Sequence, residues 1–106
     1  MKMIAAIILL SVTAAAQATQ TITAQVNGMV CAFCAQGIEK KARELPQTQD
    51  VYVNLKQKIV AIEIKEGQSL SADTVSSLVK NAGYDVTHLE TVNETVAAIR
   101  GRLEQK

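Results

Sequence analysis

The sequence predicts an α+β fold, a ferredoxin-like βαββαβ sandwich with two helices on one face of a four-stranded antiparallel sheet. Two observations predict it. Several stretches alternate apolar with other residues, as half-buried strands do, and two stretches carry apolar residues at helical spacing. Their order along the chain is strand, helix, strand, strand, helix, strand, and an extra helical stretch follows at the C-terminus.

The first predicted strand and helix meet at a junction that contains both cysteines. Thr21 to Val26 alternates polar and apolar residues, and Asn27-Gly28 interrupts the pattern. From Ala35 to Leu45 the apolar residues recur at helical spacing, with charged residues on the opposite side. Pro46 ends this helix, because proline lacks a backbone N–H and clashes with the preceding turn.

The remaining elements are a hairpin, a second helix and a fourth strand. Val51 to Leu55 and Val60 to Ile64 both show strand alternation, and the polar turn Lys56-Gln57-Lys58 separates them. Ser71 is expected to cap the second helix, because a serine hydroxyl can accept a hydrogen bond from the first turn. Tyr84 to Leu89 is the predicted fourth strand.

Thr91 to Lys106 lies outside this plan and is predicted to be a C-terminal helical extension. Its apolar residues fall on one stripe, namely Val92, Val96, Ile99 and Leu103. Gly101 weakens such a helix by about 1 kcal/mol relative to alanine. We expect a partly ordered tail that packs on the domain or frays, in preference to a helix that binds a partner.

Residues 1–18 have the pattern of a secretion signal. Lys2 gives a positive start, and Met3 to Val12 is almost wholly apolar. Ala16-Gln17-Ala18 fits a small-x-small cleavage site, and Ala14-Ala15-Ala16 is a second possible site. The apolar run is shorter than the roughly 20 residues that a membrane span needs. We therefore expect a signal peptide, a single domain over residues 19–90, and a secreted, periplasmic protein without stable membrane insertion after cleavage.

Charge and aromatic content argue against a nucleic-acid-binding protein. The chain carries 11 Lys and Arg residues against 10 Asp and Glu, and removal of Lys2 with the signal leaves no net formal charge. A nucleic-acid-binding domain usually gathers a basic excess on one face. Phe33, Tyr52 and Tyr84 are the only aromatic residues, too few for a platform on which bases stack.

Cys31 and Cys34 are the only cysteines, and two residues separate them. A disulfide between them would close a very short loop and contribute little to stability. Cys34 is expected in the first turn of a helix, where backbone N–H groups and the helix dipole favour a thiolate. Two soft thiolates suit Cu(I) first and Hg(II) second. Zn(II) fits less well, because a structural zinc site takes four ligands and the only histidine, His88, lies far along the sequence.

Two apolar neighbours of the cysteines have more than one interpretation. Met29 is either a third soft ligand or a flexible apolar side chain that anchors the loop, and the anchoring role is favoured. Phe33 is expected to be exposed. It then shields the site, meets a partner, or is a simple loop aromatic.

The segment Gly28-Met29-x-Cys31-x-x-Cys34, on the first loop of a βαββαβ domain, resembles the heavy-metal-associated domain family. The Ala82-Gly83-Tyr84 segment before the last strand adds to the resemblance, which covers about Thr21 to Leu89. That family includes copper chaperones, the N-terminal domains of copper- and zinc-exporting ATPases, and the periplasmic mercury-binding protein. A secreted single domain is similar to the last of these.

The resemblance implies a role for each residue of the motif. Cys31 and Cys34 are implied to bind a soft metal ion. Gly28 and Met29 are implied to support the loop, Met29 from the core. Tyr84 is implied to lie near the thiols and to tune them from outside the ligand set.

Three classes of function fit these residues. The favoured one is a periplasmic metallochaperone or scavenger, not an enzyme, that binds one Cu(I) or Hg(II) ion and passes it on by ligand exchange. It would dock transiently on a membrane metal transporter or another metal-binding protein, as a monomer or as a metal-bridged dimer. The second is a thiol-disulfide redox protein that uses the same pair. The third is an interaction module in which the cysteines are incidental.

Overall fold

The predicted order of strands and helices is present in the computed structural model, which describes residues 19–28 and 31–104. The elements are β1 (Thr21–Asn27), α1 (Ala32–Arg43), β2 (Thr48–Asn54), β3 (Ile59–Ile64), α2 (Ala72–Asn81), β4 (Asp85–Val92) and α3 (Val96–Glu104). The strands form one antiparallel sheet in the order β2-β3-β1-β4. The predicted ferredoxin-like α+β fold with an additional C-terminal helix is therefore confirmed.

Some of the sequence predictions fall outside the described residues. These are the signal peptide over residues 1–18 and the role of Met29, whether as loop anchor or as third ligand. Both stay predictions. Within residues 19–28 and 31–104, no helix is long and apolar enough to cross a membrane.

The main core lies between the sheet and the pair of helices α1 and α2. Three alternate residues of β1 point into it, since Ile22, Ala24 and Val26 are at most 2% exposed. Ile38 and Ala42 of α1 are fully buried against them. The other buried members are Ala35, Val51, Val60, Ile62, Ile64, Val75, Leu78 and Val79. Removal of these apolar side chains from water is the main stabilising contribution to the fold.

The C-terminal end of α1 is joined to the edge strand β2. The helix ends at Arg43, before the predicted end at Leu45. The Thr48 hydroxyl donates to the Ala42 carbonyl at 2.6 Å and so satisfies one of the last carbonyls of the helix. Nη2 of Arg43 donates to the carbonyl of Val51 at 3.2 Å. The guanidinium therefore lies along the outer edge of β2.

The α2 cap agrees with the sequence prediction, and the hairpin turn is longer than predicted. Ser71 precedes α2, and its hydroxyl accepts the N–H of Thr74 at 3.1 Å. Leu55 lies in the β2–β3 turn rather than in β2. Lys58 at the end of this turn has a φ of 58°, in the left-handed region that a side chain seldom adopts.

The C-terminal helix starts later than the sequence predicts. Thr91 and Val92 continue β4 and pair with β1. α3 begins at Val96, immediately after Thr95, whose hydroxyl accepts the N–H of Ala98 at 3.0 Å. The stripe of apolar residues misled the prediction, because Val92 belongs to the same buried cluster as the helix while lying on a strand.

α3 covers part of the second face of the sheet, the face opposite to α1 and α2. Val96 and Ile99 of α3 are each 1% exposed. They pack against Tyr52 of β2 and Ala61 of β3, the residues that point away from the main core. Val92 and Leu103 lie at the margin of this second cluster. The domain is thus three layers thick where α3 crosses it.

Two hydrogen bonds fix the start of α3 to the sheet. The Thr21 hydroxyl on β1 donates to the carbonyl of Glu94. Oε1 of Glu63 on β3 accepts the N–H of Val96 at 2.8 Å, which places a carboxylate at the positive end of the helix. Up to Glu104, the tail therefore packs on the domain, which was one of the two behaviours expected for it.

We predict that Ile99→Ala lowers the free energy of unfolding by about 2–4 kcal/mol, because it leaves a cavity between α3 and the sheet. Urea unfolding followed by circular dichroism measures this. Ala97→Ser, on the exposed side of the same helix, is the control and should change the free energy by no more than about 0.5 kcal/mol. Equal free energies of unfolding for the two variants would contradict the packing of α3 on the sheet.

Candidate metal site

The cysteine loop begins where β1 ends. Asn27 is the last residue of β1 and pairs with Asp85 of β4. Gly28 follows with a φ of +88°, a conformation that costs a residue with a side chain about 1–2 kcal/mol. A Cβ at this position would lie 3.5 Å from Cδ1 of Tyr84. Gly28 therefore both turns the chain and lies directly beside the Tyr84 ring.

Both cysteines lie at the N-terminus of α1. Cys31 is the N-cap residue, with extended φ and ψ of −110° and 128°, and its carbonyl accepts the N–H of Ala35 at 3.0 Å. Cys34 follows in the first turn. Cys31 is exposed, Cys34 is half-buried, and both are free thiols. The predicted position of Cys34 in the first helical turn is confirmed.

The helix terminus makes Cys31 more acidic. The pKa of Cys31 is lowered first by the backbone N–H of Cys34, then by a side-chain hydrogen bond with Cys34 and by the N–H of Phe33, while desolvation opposes the shift. The sulfur does not complete a capping hydrogen bond, so these N–H groups act mainly as nearby partial positive charges. The first turn contains no acidic residue that would counteract them. A thiolate is therefore favoured at this end of α1.

Tyr84 reaches the thiols because of the way α2 ends. The N–H of Gly83 bonds the carbonyl of Lys80 at 2.9 Å, and the N–H of Tyr84 bonds the carbonyl of Val79 at 3.2 Å. This pair of bonds is the Schellman motif, and Gly83 adopts the left-handed φ of +95° that the motif needs. The Ala82-Gly83-Tyr84 segment is thus a helix ending that directs the chain back toward the cysteine loop.

Tyr84 and Cys34 line the same depression of the surface. The pKa of Tyr84 is raised first by a side-chain hydrogen bond with Cys34, then by desolvation and by the negative charges of Cys34 and Cys31. The raised pKa favours the protonated phenol, which is the form that can donate a hydrogen bond to a nearby thiolate. This is the neighbourhood that the family resemblance implied for Tyr84.

A surface depression of about 350 Å³ adjoins Cys34. It lies between the first turns of α1 and the end of α2, and its lining consists of Phe33, Cys34, Gly37, Lys41, Asn81, Ala82 and Tyr84. Phe33 is 81% exposed, as predicted. A larger depression of about 470 Å³ farther along the same two helices contains no thiol. Proximity to a thiol, rather than size, therefore selects the site.

Three residues that line this depression had not been predicted to lie near the thiols, namely Gly37, Lys41 and Asn81. Gly37 and Lys41 follow Cys34 at helical spacing on the same side of α1. That spacing was a usable signal. Asn81 could not be found in this way, because only the packing of α2 against α1 brings it here.

His88 does not join the thiols. His88 lies on β4, pairs with Gln25, and its Nε2 is 3.6 Å from Oε2 of Glu90. Within the described residues, no group of three or more His, Cys, Asp or Glu side chains could hold a metal ion. The donor set in this part of the chain is therefore the pair of thiols, which fits a soft ion of low coordination number and does not fit a four-ligand zinc site.

We predict that Cys34→Ala returns the pKa of Tyr84 toward the ordinary tyrosine value of about 10, because the substitution removes both the hydrogen-bonding sulfur and its charge. The ring-carbon NMR shift of Tyr84 followed against pH measures this pKa. His88→Ala is the control and should leave it unchanged. If the pKa of Tyr84 were the same in Cys34→Ala as in the parent protein, Cys34 would not be the cause of the raised pKa.

Comparison with known proteins identifies the same region. The family model described as "Heavy-metal-associated domain" matches residues 23–101. The copper chaperone CopZ of Bacillus subtilis is 31% identical over 64 residues, which cover 60% of this chain and 91% of CopZ. The solved structure of oxidized MerP from Ralstonia metallidurans has a TM-score of 0.56 at 25% identity, covering 67% of this chain and 100% of MerP.

A longer relative shares only one of its parts with this chain. A copper-exporting P-type ATPase of Staphylococcus haemolyticus is 28% identical over 81 residues, which cover 76% of this chain and 10% of the ATPase. This chain therefore spans about a tenth of that protein. The family match itself runs from β1 into α3 and includes both cysteines and Tyr84. On this evidence, the chain belongs to the heavy-metal-associated domain family.

Proposed function

We propose that this chain is a periplasmic soft-metal-binding protein, which holds one Cu(I) or Hg(II) ion between Cys31 and Cys34 and passes it to a partner by ligand exchange. The observation that carries the proposal is the meeting of two free thiols at the N-terminus of α1, one exposed and one half-buried. The family match supports it. The role is one of binding and delivery rather than of catalysis.

Copper(I) is the first choice of metal. Two thiolates provide soft ligands in small number, which suits Cu(I) and Hg(II) alike. Two of the relatives, a copper chaperone and a copper-exporting ATPase, are named for copper, and these names support the choice of Cu(I). Zn(II) is the least suitable of the three, because two thiols supply only half of a structural zinc site.

Transfer requires no bond to be made or broken other than metal–sulfur bonds. An incoming thiolate adds to the bound ion as a third ligand, and one of the two donor thiolates then leaves. Cys31 is the exposed thiol, so an acceptor can approach the ion from its side. Exposed Phe33 and the adjoining depression offer an apolar surface for transient docking. A membrane metal transporter or another metal-binding protein is the proposed partner.

The proposed organisation follows from the sequence. Residues 1–18 serve as a signal peptide, residues 19–90 form the metal-binding domain, and residues 91–106 extend it. The apolar run and the small-x-small site support export. The protein works as a monomer, and a metal-bridged dimer through two exposed thiol pairs is the alternative assembly.

A thiol-disulfide redox protein is the second candidate, and one observation favours it. The lowered pKa of Cys31 at a helix N-terminus also suits a thiolate that attacks a disulfide. Cys31 would form a mixed disulfide with the substrate, and Cys34 would then release the substrate thiol and leave the pair oxidised. If the metal-free protein accelerates the reduction of a test disulfide by a small-molecule dithiol, this alternative would be supported.

We predict that the reduced protein holds one Cu(I) ion against a chromogenic competing chelator under anaerobic conditions. Cys31→Ser and Cys34→Ser should each abolish this competition, because one thiolate cannot replace the pair. His88→Ala provides the matched control, since His88 lies on β4 and does not belong to the site. Failure of the parent protein to compete, with both thiols shown to be free, would refute the proposal.

We also predict that the exported protein begins at Thr19, because cleavage is expected after Ala18. Mass spectrometry of the protein from a periplasmic extract measures this. Ala18→Arg, which removes the small residue before the cut, should cause the uncleaved chain to accumulate. Recovery of the parent protein with residues 1–18 intact would contradict the prediction.

A further inference from the structure

Tyr52 of β2 is held from two sides by α3. Its ring is 5% exposed within the second apolar cluster. Cζ of Arg100 lies 5.0 Å from the ring centroid, a cation–π distance. The Tyr52 hydroxyl donates to Oε1 of Glu104 at 3.2 Å. The last turn of α3 therefore determines where this hydroxyl lies.

The same hydroxyl holds Asn54 at the end of β2. Nδ2 of Asn54 donates to the Tyr52 hydroxyl at 3.0 Å. Oδ1 of Asn54 accepts the backbone N–H of Gln57 at 2.8 Å. An asparagine side chain that bonds the backbone a few residues ahead stabilises a turn. Asn54 thus joins the buried tyrosine to the β2–β3 turn.

The β2–β3 turn in turn contacts the strand that leads into the cysteine loop. The carbonyl of Lys58 accepts the N–H of Val26 at 2.8 Å. This bond lies just beyond the last regular β1–β3 pair, Gln25 with Ile59. Val26 is the last but one residue of β1, and Gly28 turns the chain toward Cys31. The turn therefore fixes the backbone from which the cysteine loop departs.

We propose that Tyr52 and Asn54 are positioning residues for the cysteine loop, and that α3 acts on the loop through them. The contacts form a continuous series: Glu104 to Tyr52, Tyr52 to Asn54, Asn54 to the turn, and the turn to Val26. The inference rests on the proposed function, because positioning matters for a loop that must bring two thiols to one ion.

The turn is an element that needs such support. Lys58 adopts a φ of 58°, which a residue with a side chain takes up only at a cost. Released from Asn54, the turn can relax to other conformations, and the carbonyl of Lys58 then no longer faces Val26. Coupling between two sites is reciprocal in free energy. Metal binding at the loop is therefore expected to strengthen the docking of α3.

Tyr52→Phe tests the inference, since it removes the hydroxyl and keeps the ring packed under α3. Hydrogen exchange of the Val26 amide should become about three- to tenfold faster, because the hydroxyl's part-buried hydrogen bonds with Glu104 and Asn54 are both lost. The amide of Ala24, in the middle of the β1–β3 ladder, serves as the internal reference for global unfolding. Cu(I) affinity should fall by about two- to fivefold, a smaller change because the thiols themselves remain.

Two α3 variants form a matched pair. Glu104→Ala removes the partner of the Tyr52 hydroxyl and should reproduce the faster exchange at Val26. Arg102→Ala lies in the same last turn but breaks only the pair with Glu94, 3.1 Å away and outside the series. It should leave Val26 unchanged. In the parent protein, Cu(I) should slow exchange of the Ile99 amide in α3, and in Tyr52→Phe this slowing should be reduced.

The outcomes separate the two proposals. Equal exchange at Val26 in Tyr52→Phe, Glu104→Ala and Arg102→Ala would overturn the positioning role, whether or not metal binds. Parallel acceleration at Val26 and Ala24 would also overturn it, because that result reports a purely global loss of stability. A parent protein that does not bind Cu(I) would refute the proposed function, while the exchange of Val26 in the metal-free protein would still decide the positioning role.

Discussion

The structure depends on the burial of one face of β1 in the main core and of the first residue of its other face under α3. Ile22, Ala24 and Val26 lie under α1 and α2, while Thr21, also fully buried, lies under the start of α3. Since strand side chains alternate between faces, a slip of one residue would exchange the apolar set for the polar one. Pairing with β3 on one edge and β4 on the other excludes such a slip. The register of β1 therefore determines the position along the sheet at which the cysteine loop begins.

The ends of two helices create the electrostatic environment of the thiols. α1 presents unpaired N–H groups to Cys31, whose pKa is lowered as a result. α2 ends at the same place, and its free carbonyls would repel a thiolate. The Schellman motif bonds the carbonyls of Val79 and Lys80 to the chain itself. The residue that then reaches the site is Tyr84, whose pKa is raised mainly by its interaction with Cys34.

Most of the fold and the cysteine pair were predictable from local patterns, because strand alternation, helical spacing and CxxC are all short-range signals. The details of how α3 docks were not predicted. α3 packs on the face of the sheet that the alternating pattern of the strands predicts to be exposed to solvent. The available signal was Tyr52 and Ala61, apolar residues at positions where a solvent-facing strand would be polar. Val92 caused the start of α3 to be predicted too early, because it packs in the same cluster as α3 although it belongs to β4. The position implied for Tyr84 depends on how α2 ends, and the only local sequence signal for that ending is Gly83.

The contact between Arg43 and the carbonyl of Val51 has a consequence for behaviour at high concentration. β2 and β4 are the outer strands of the sheet, and an outer strand can recruit the strand of another molecule and so start aggregation. On β2 the Arg43 guanidinium donates a hydrogen bond to the outward-facing carbonyl of Val51. Gln49 interrupts the register between β2 and β3. On β4 the register shifts at Thr87. Bulges of this kind hinder intermolecular strand pairing, so two molecules that meet can do so through their cysteine loops without their sheets merging.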